Sequence, residues 1–306
     1  MKRSFIIFLV ILLPLFVSCD FNSSSNSISN SSASISSPSL TIPTYDDIGF
    51  VNRSIYTGIL TERVVDNHEC LSGIVCREAY SSKDRWLGIE MTITLPYFEE
   101  DKARSGLDFP EIYFEVISNQ ISKAGLVLTN DEVSFYKIFW KYSNDKESEI
   151  YYETFIGTED YKYYPGDKVR MSLFSNKEHT LQLMIELLED TKFELYKNLN
   201  RETSVFVSDE FVSNDHLVND TMYKRIIAIN NLDNHDYSNN KIDVNLSNAI
   251  IESSYLYRLI NNDVYKLPFN DQRSKHLSCG DNFIINISYE TVLKSNGGEI
   301  INITSK

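Results

Sequence analysis

Leu87, Ile89, Met91, Ile93 and Leu95 alternate with polar residues or glycine and stop at Pro96. Period-two alternation places one set of side chains on each face, so the segment predicts a half-buried β-strand. The pattern recurs at Ile112–Val116, Tyr136–Tyr142, Ile150–Ile156 and Val169–Leu173. Tyr164-Pro165-Gly166-Asp167 precedes the last of these and fits a type II turn, with Pro and Gly at its two central positions. Leu181 to Leu195 is read as two strands joined by a turn at Glu189-Asp190-Thr191-Lys192. Further strands are expected at Lys224–Ile229, Ile242–Leu246, Phe283–Ile287 and Ile300–Ile303, separated by clusters such as Ser143-Asn144-Asp145. Many short strands and almost no helical period predict an all-β chain: a sandwich or jelly roll of antiparallel sheets.

The N-terminus breaks this pattern. Lys2 and Arg3 precede an apolar run from Phe5 to Val17, too short for a spanning helix but of the length of a signal-peptide core. Phe16-Val17-Ser18-Cys19 follows and resembles a bacterial lipoprotein signal, with Phe where Leu is commoner. The resemblance implies cleavage before Cys19 and a diacylglycerol on its sulfur. Residues 20 to about 43 are rich in Ser and Asn and cannot bury enough apolar surface to offset their chain entropy. The expected organisation is a signal peptide at 1–18, a lipidated Cys with its tether at 19–45, and a β-sandwich at 46–306. The implied location is the extracytoplasmic face of a cell membrane. The segment from about Ser254 to Lys306 either completes the sandwich or forms an appendage.

Composition narrows the chemistry. The 306 residues carry a formal charge of −14, which repels a phosphate backbone, so no nucleic-acid partner is expected. Besides Cys19, three cysteines remain: Cys70, Cys76 and Cys279. Cys70 and Cys76 are the candidate local disulfide, which leaves Cys279 unpaired. His276 and Cys279 offer two metal ligands where zinc needs three or four, so no metal and no cofactor is expected. The five histidines (68, 179, 216, 235 and 276) are read as isolated surface-loop residues. Asp233-Asn234-His235-Asp236 with Asn239 and Asn240 is oxygen-rich but lacks a calcium-loop pattern. Nucleophile-elbow, Walker, dinucleotide-binding and zincin motifs are all missing from the sequence.

An ordered series of segments resembles the concanavalin A-like jelly roll of the glutamic peptidases, the eqolisins. Ser54–Leu60, Thr92–Pro96, Tyr113–Ile117, Ile121–Gly125, Phe135–Tyr142, Gly166–Val169 and Tyr223–Ile227 are similar to successive strands of that family. The resemblance spans about Asn52 to Ser253. It implies a Gln and a Glu that together activate a water at acid pH. Those positions match Lys123 and Lys224 here, and neither lysine can shuttle protons as a carboxylate does. Gln120, three residues from the first, belongs on the opposite strand face. The resemblance thus implies the fold and argues against the activity, with no catalytic residue assigned.

Tyr136, Trp140, Tyr142 and Tyr152 are the candidate ligand platform, because an exposed aromatic face beside Asn and Asp suits a sugar ring or an extended peptide. The expected function is that of a membrane-anchored surface lipoprotein whose non-catalytic jelly roll binds a glycan or a protein. The alternative is a secreted hydrolase, a peptidase or a glycosidase, using acidic residues the sequence does not single out.

Overall fold

A computed structural model describes residues 53–70, 74–98, 108–129, 133–143, 151–156, 161–197, 199, 201, 205–231, 242, 244–280 and 285–306. Side chains are described for these residues except 143, 151–156 and 231. The strands in chain order are Ile74–Ser81 (β1), Gly88–Thr94 (β2), Tyr97–Phe98 (β3), Asp108–Ile117 (β4), Ile121–Leu128 (β5) and Tyr136–Ser143 (β6). Then come Tyr151–Ile156 (β7), Lys168–Phe174 (β8), Thr180–Glu189 (β9), Val205–Val207 (β10), Phe211–Val212 (β11) and Met222–Asn231 (β12). Leu246–Ile260 (β13), Asp263–Pro268 (β14), Ser274–Cys279 (β15), Ile285–Leu293 (β16) and Gly298–Ser305 (β17) complete the series.

Two antiparallel sheets result. One runs β15-β1-β12-β4-β5-β6-β7; the other runs β10-β9-β8-β2-β13-β17-β16, with β3, β11 and β14 paired at its margins. This is the all-β jelly-roll sandwich expected from the alternation. The alternating residues face inward: Ile112 and Phe114 on β4, Ala124 and Leu126 on β5, and Ile227 and Ile229 on β12 join one core with Ile89, Met91 and Ile93 on β2 and Met171 and Leu173 on β8. Each of these side chains larger than alanine contributes about 1.5–3 kcal/mol through burial. The C-terminal segment completes the sandwich, because β13, β14, β16 and β17 lie in one sheet and β15 borders the other.

The turn before β8 is as expected. Asp167 N donates to Tyr164 O at 2.9 Å, and Gly166 has φ of 84°, a conformation that excludes most side chains. A Cβ there would also lie 2.5 Å from Phe193 and from Thr191.

Three expectations change. Residues 181–195 form one strand, not two: after β9, the chain leaves the sheet, and residues 194–197 make a turn. The strand expected at Ile242–Leu246 starts only at Leu246 and continues to Ile260. Ser54–Leu60 forms an extended strap with one bridge, Ile55 to Lys266, rather than a sheet strand. The oxygen-rich loop at 233–240 lies outside the described residues.

Candidate functional site

The outer face of the seven-stranded sheet carries a row of buried charge. Register sets it: Glu115 on β4 is directly opposite Lys224 on β12 and Lys123 on β5. Lys123 Nζ lies 2.9 Å from Glu115 Oε2, and Lys224 Nζ lies 3.0 Å from Oε1. Lys224 Nζ also reaches Glu78 Oε2 on β1 at 3.4 Å. Lys123 and Lys224, the two positions picked out by the family resemblance, therefore converge on one carboxylate.

A strap closes this face. Residues 54–70 run from β14, where Tyr56 N donates to Lys266 O, to β15, where Cys70 is disulfide-bonded to Cys279. Val65 packs on Tyr80 and Met222, and His68 lies against the Tyr80 ring. Lys224 Nζ donates to His68 Nε2 at 2.6 Å, so the imidazole accepts there and is neutral. Burial, reinforced by the Lys224 charge, lowers the His68 pKa.

The carboxylates diverge in proton affinity. Burial alone would raise the Glu115 pKa, but the charges and hydrogen bonds of Lys123 and Lys224 outweigh it and hold the group at about 2. Burial raises the Glu78 pKa, with Lys224 only partly opposing it. Such divergence is a property of acid–base pairs. Here, however, both carboxylates and Lys224 are buried, and Glu115 stays ionised as an ion-pair anchor. Gln120 takes no part: it sits in the β4–β5 turn, where its Oε1 accepts from Asn214 N at 2.5 Å.

The aromatic platform is corrected. Tyr136 is 1% exposed and Trp140 7%, and both face the core between the sheets. Trp140 stacks on Phe211 at 6.0 Å, and the Tyr136 hydroxyl donates to Pro96 O. The alternation expected on β6 is present, but its aromatic side points inward. Tyr142 is half-buried, and the side chain of Tyr152 lies outside the described residues.

A different aromatic site opens at the end of the ten-stranded sheet. A cleft of about 310 Å³ is lined by Tyr97, Lys168, Asp190, Lys192, Phe193 and Asn248, among others. Tyr97 and Phe193 meet edge to face at 5.3 Å, and Phe193 is 42% exposed. Asn248 Nδ2 donates to the Tyr97 hydroxyl at 3.0 Å. The two rings come from segments nearly a hundred residues apart, so no local pattern in the sequence pointed to them.

The cysteine expectation is also corrected. Cys70 pairs with Cys279 across 209 residues, and Cys76 is the one free thiol among the described residues and is buried. His276 and Cys279, three apart on β15, fall on opposite faces. His276 Nδ1 lies 3.2 Å from Glu299 between the sheets. His216, expected on the surface, is fully buried: Tyr223 OH donates to Nδ1, and Nε2 donates to Ser175 O. Burial lowers its pKa to about 4. His179 is exposed, and His235 lies outside the described residues.

No family model and no curated protein matches the chain. Solved structures do. A scytalido-glutamic peptidase crystallised with a transition state analog inhibitor is 10% identical, covering 77% of this chain and 98% of that one, with a TM-score of 0.45. The same peptidase with a peptide-based transition state analog is 11% identical over 76% and 97%, with a TM-score of 0.43. SCP-B, an eqolisin in complex with the tripeptide Ala-Ile-His, is 10% identical over 77% and 98%, with a TM-score of 0.41. The chain is similar to these glutamic peptidases in fold.

Proposed function

We propose that this chain is a surface lipoprotein, held to a membrane by lipid on Cys19, whose jelly roll binds a ligand without cleaving it. The observation that carries the reading is the state of Glu115. It is ionised, fully buried and clamped between Lys123 and Lys224, and His68 of the strap caps Lys224. A carboxylate held at about 2 by two lysines is too weak a base to activate water, holds no proton to donate near neutral pH, and is buried from substrate.

The ligand surface is the Tyr97–Phe193 cleft. Aromatic rings beside an amide, a carboxylate and an ammonium can stack on a sugar ring and hydrogen-bond its hydroxyls. A glycan is therefore the favoured ligand class, displayed away from the membrane by the Ser/Asn-rich tether.

Two measurements test the reading. Glycan-array binding of the protein should be lost in Tyr97→Ala and Phe193→Ala and kept in Tyr142→Ala. Binding that ignores both cleft substitutions would move the site elsewhere. Membrane fractionation of the expressed chain should be abolished by Cys19→Ser; continued membrane association of that variant would remove the lipid anchor.

A further inference from the structure

Three cysteines of the β-sandwich meet at one place. Cys76 on β1 is the cross-strand partner of Cys279 on β15, and Cys70 of the strap is bonded to Cys279. Glu78, two residues along β1, points to the same side. The sulfurs of Cys76 and Cys279 and a carboxylate oxygen of Glu78 all lie within 4.8 Å of one another. A disulfide uses two of the three thiols and gives Cys76 no task. Tetrahedral coordination gives all three a task and takes Glu78 as the fourth ligand.

We propose that Cys70, Cys76, Cys279 and Glu78 form a binding site for one zinc-class divalent ion when the Cys70–Cys279 disulfide is reduced. The site is independent of the ligand-binding reading above. Ligand atoms about 2.0–2.3 Å from a tetrahedral zinc lie roughly 3.3–3.8 Å apart, within reach of small side-chain rotations here. The site is enclosed on the sheet side, while Cys70 on the strap is exposed. Ile226, Ala228, Val127 and Tyr113 pack around Cys76 and Cys279, and all are buried. Lys224 lies 3.4 Å from Glu78 Oε2, positioned to orient the carboxylate and to offset the anionic ligand set.

The chemistry balances. A dithiol reductant gives two electrons and two protons to Cys70–Cys279, the S–S bond opens, and the reductant becomes a disulfide. Metal entry then displaces three thiol protons to solvent and binds Glu78 as its carboxylate. The ion would hold the strap to the sheet in place of the disulfide.

The test is a cobalt(II) titration of the whole protein, before and after reduction with a non-chelating phosphine, with circular dichroism alongside. Reduced protein should bind one cobalt per chain with a thiolate-to-metal charge-transfer band, and the oxidised protein should show none. Zinc should displace the cobalt. Cys76→Ser, which leaves the disulfide pair intact, should weaken binding by at least about tenfold. Should reduction alone unfold the sandwich, recovery of the β-sheet signal on adding zinc supports the site, and failure to recover overturns it. A folded, reduced protein without the charge-transfer band, or a Cys76→Ser variant that binds equally well, also overturns it.

Discussion

Two buried charge clusters stabilise this sandwich in different ways. On the outer face, Glu78, Lys224, Glu115 and Lys123 form a row across neighbouring strands of one sheet, closed by the strap. Between the sheets, Glu299 on β17 receives Arg77 of β1 at 2.7 Å and Arg225 of β12 at 2.5 Å. Arg225 also donates to Gly297 O at 2.8 Å, and His276 adds a contact to Glu299 at 3.2 Å. Burial would raise the Glu299 pKa, but the His276 hydrogen bond and the Arg225 charge lead the effects that hold it well below the usual carboxylate range. The first cluster follows from the register of one sheet. The second joins two sheets, and Arg77 also lies over the ring of the exposed Tyr289 on β16 at 3.5 Å. The lysines of the first can extend toward water if the strap lifts, whereas Arg225 of the second is fully enclosed.

That contrast orders the expected effects. Glu299→Gln leaves two guanidinium groups uncompensated in the core and should cost about 3–5 kcal/mol in urea unfolding. A loss below about 1 kcal/mol would mean that the arginines escape to solvent. Acid separates the contributions next. His216 has a folded pKa of about 4, below its ordinary 6.5. The unfolded chain therefore binds the extra proton, so the stability His216 confers is full above 6.5 and is lost as pH falls toward 4. The loss is about 3 kcal/mol at most. Glu115, held at about 2 against 4.5, loses its contribution only as pH falls from 4.5 toward 2. Stability against pH should thus fall in two stages, and His216→Asn should shrink the upper one, to which His68, whose pKa is also lowered, contributes the remainder. A single stage in the wild type would contradict the burial of His216.

Glu115→Gln should cost less than the Glu299 change, about 2 kcal/mol, because Lys123 and Lys224 can extend outward as the strap loosens. Equal costs at the two sites would show that the strap is as fixed as the core. The smallest effect belongs to the cleft. Tyr97→Ala and Phe193→Ala should change stability by under about 1 kcal/mol while abolishing ligand binding. A large stability loss would make the rings structural.

The fold was legible because alternation survives wherever one strand face meets the core. Ile89, Met91 and Ile93 on β2 and Ile112, Phe114 and Val116 on β4 were identified by period alone and are all buried. Period two does not say which face is inward, and so Tyr136 and Trp140 were assigned to the surface although they fill the core. Central strands bury both faces here, as on β1, where Cys76, Glu78 and Tyr80 are as hidden as Val75 and Ala79. Long-range pairings have no local signal at all. Cys70 with Cys279, Arg225 with Glu299, and Tyr97 with Phe193 exist only after the sheets have formed. The convergence of Lys123 and Lys224 was foreshadowed only by the family resemblance, while Glu115 between them was not.

The most direct measurement is peptide-bond cleavage of a denatured protein substrate by the purified protein from about pH 2 to about pH 8, with circular dichroism at each pH. The expected result is no cleavage at any pH where the sandwich is folded. Cleavage by the folded protein that disappears in Glu115→Gln would contradict the assignment of Glu115 as a neutralised ion-pair anchor, and with it the reading of this chain as a binding protein.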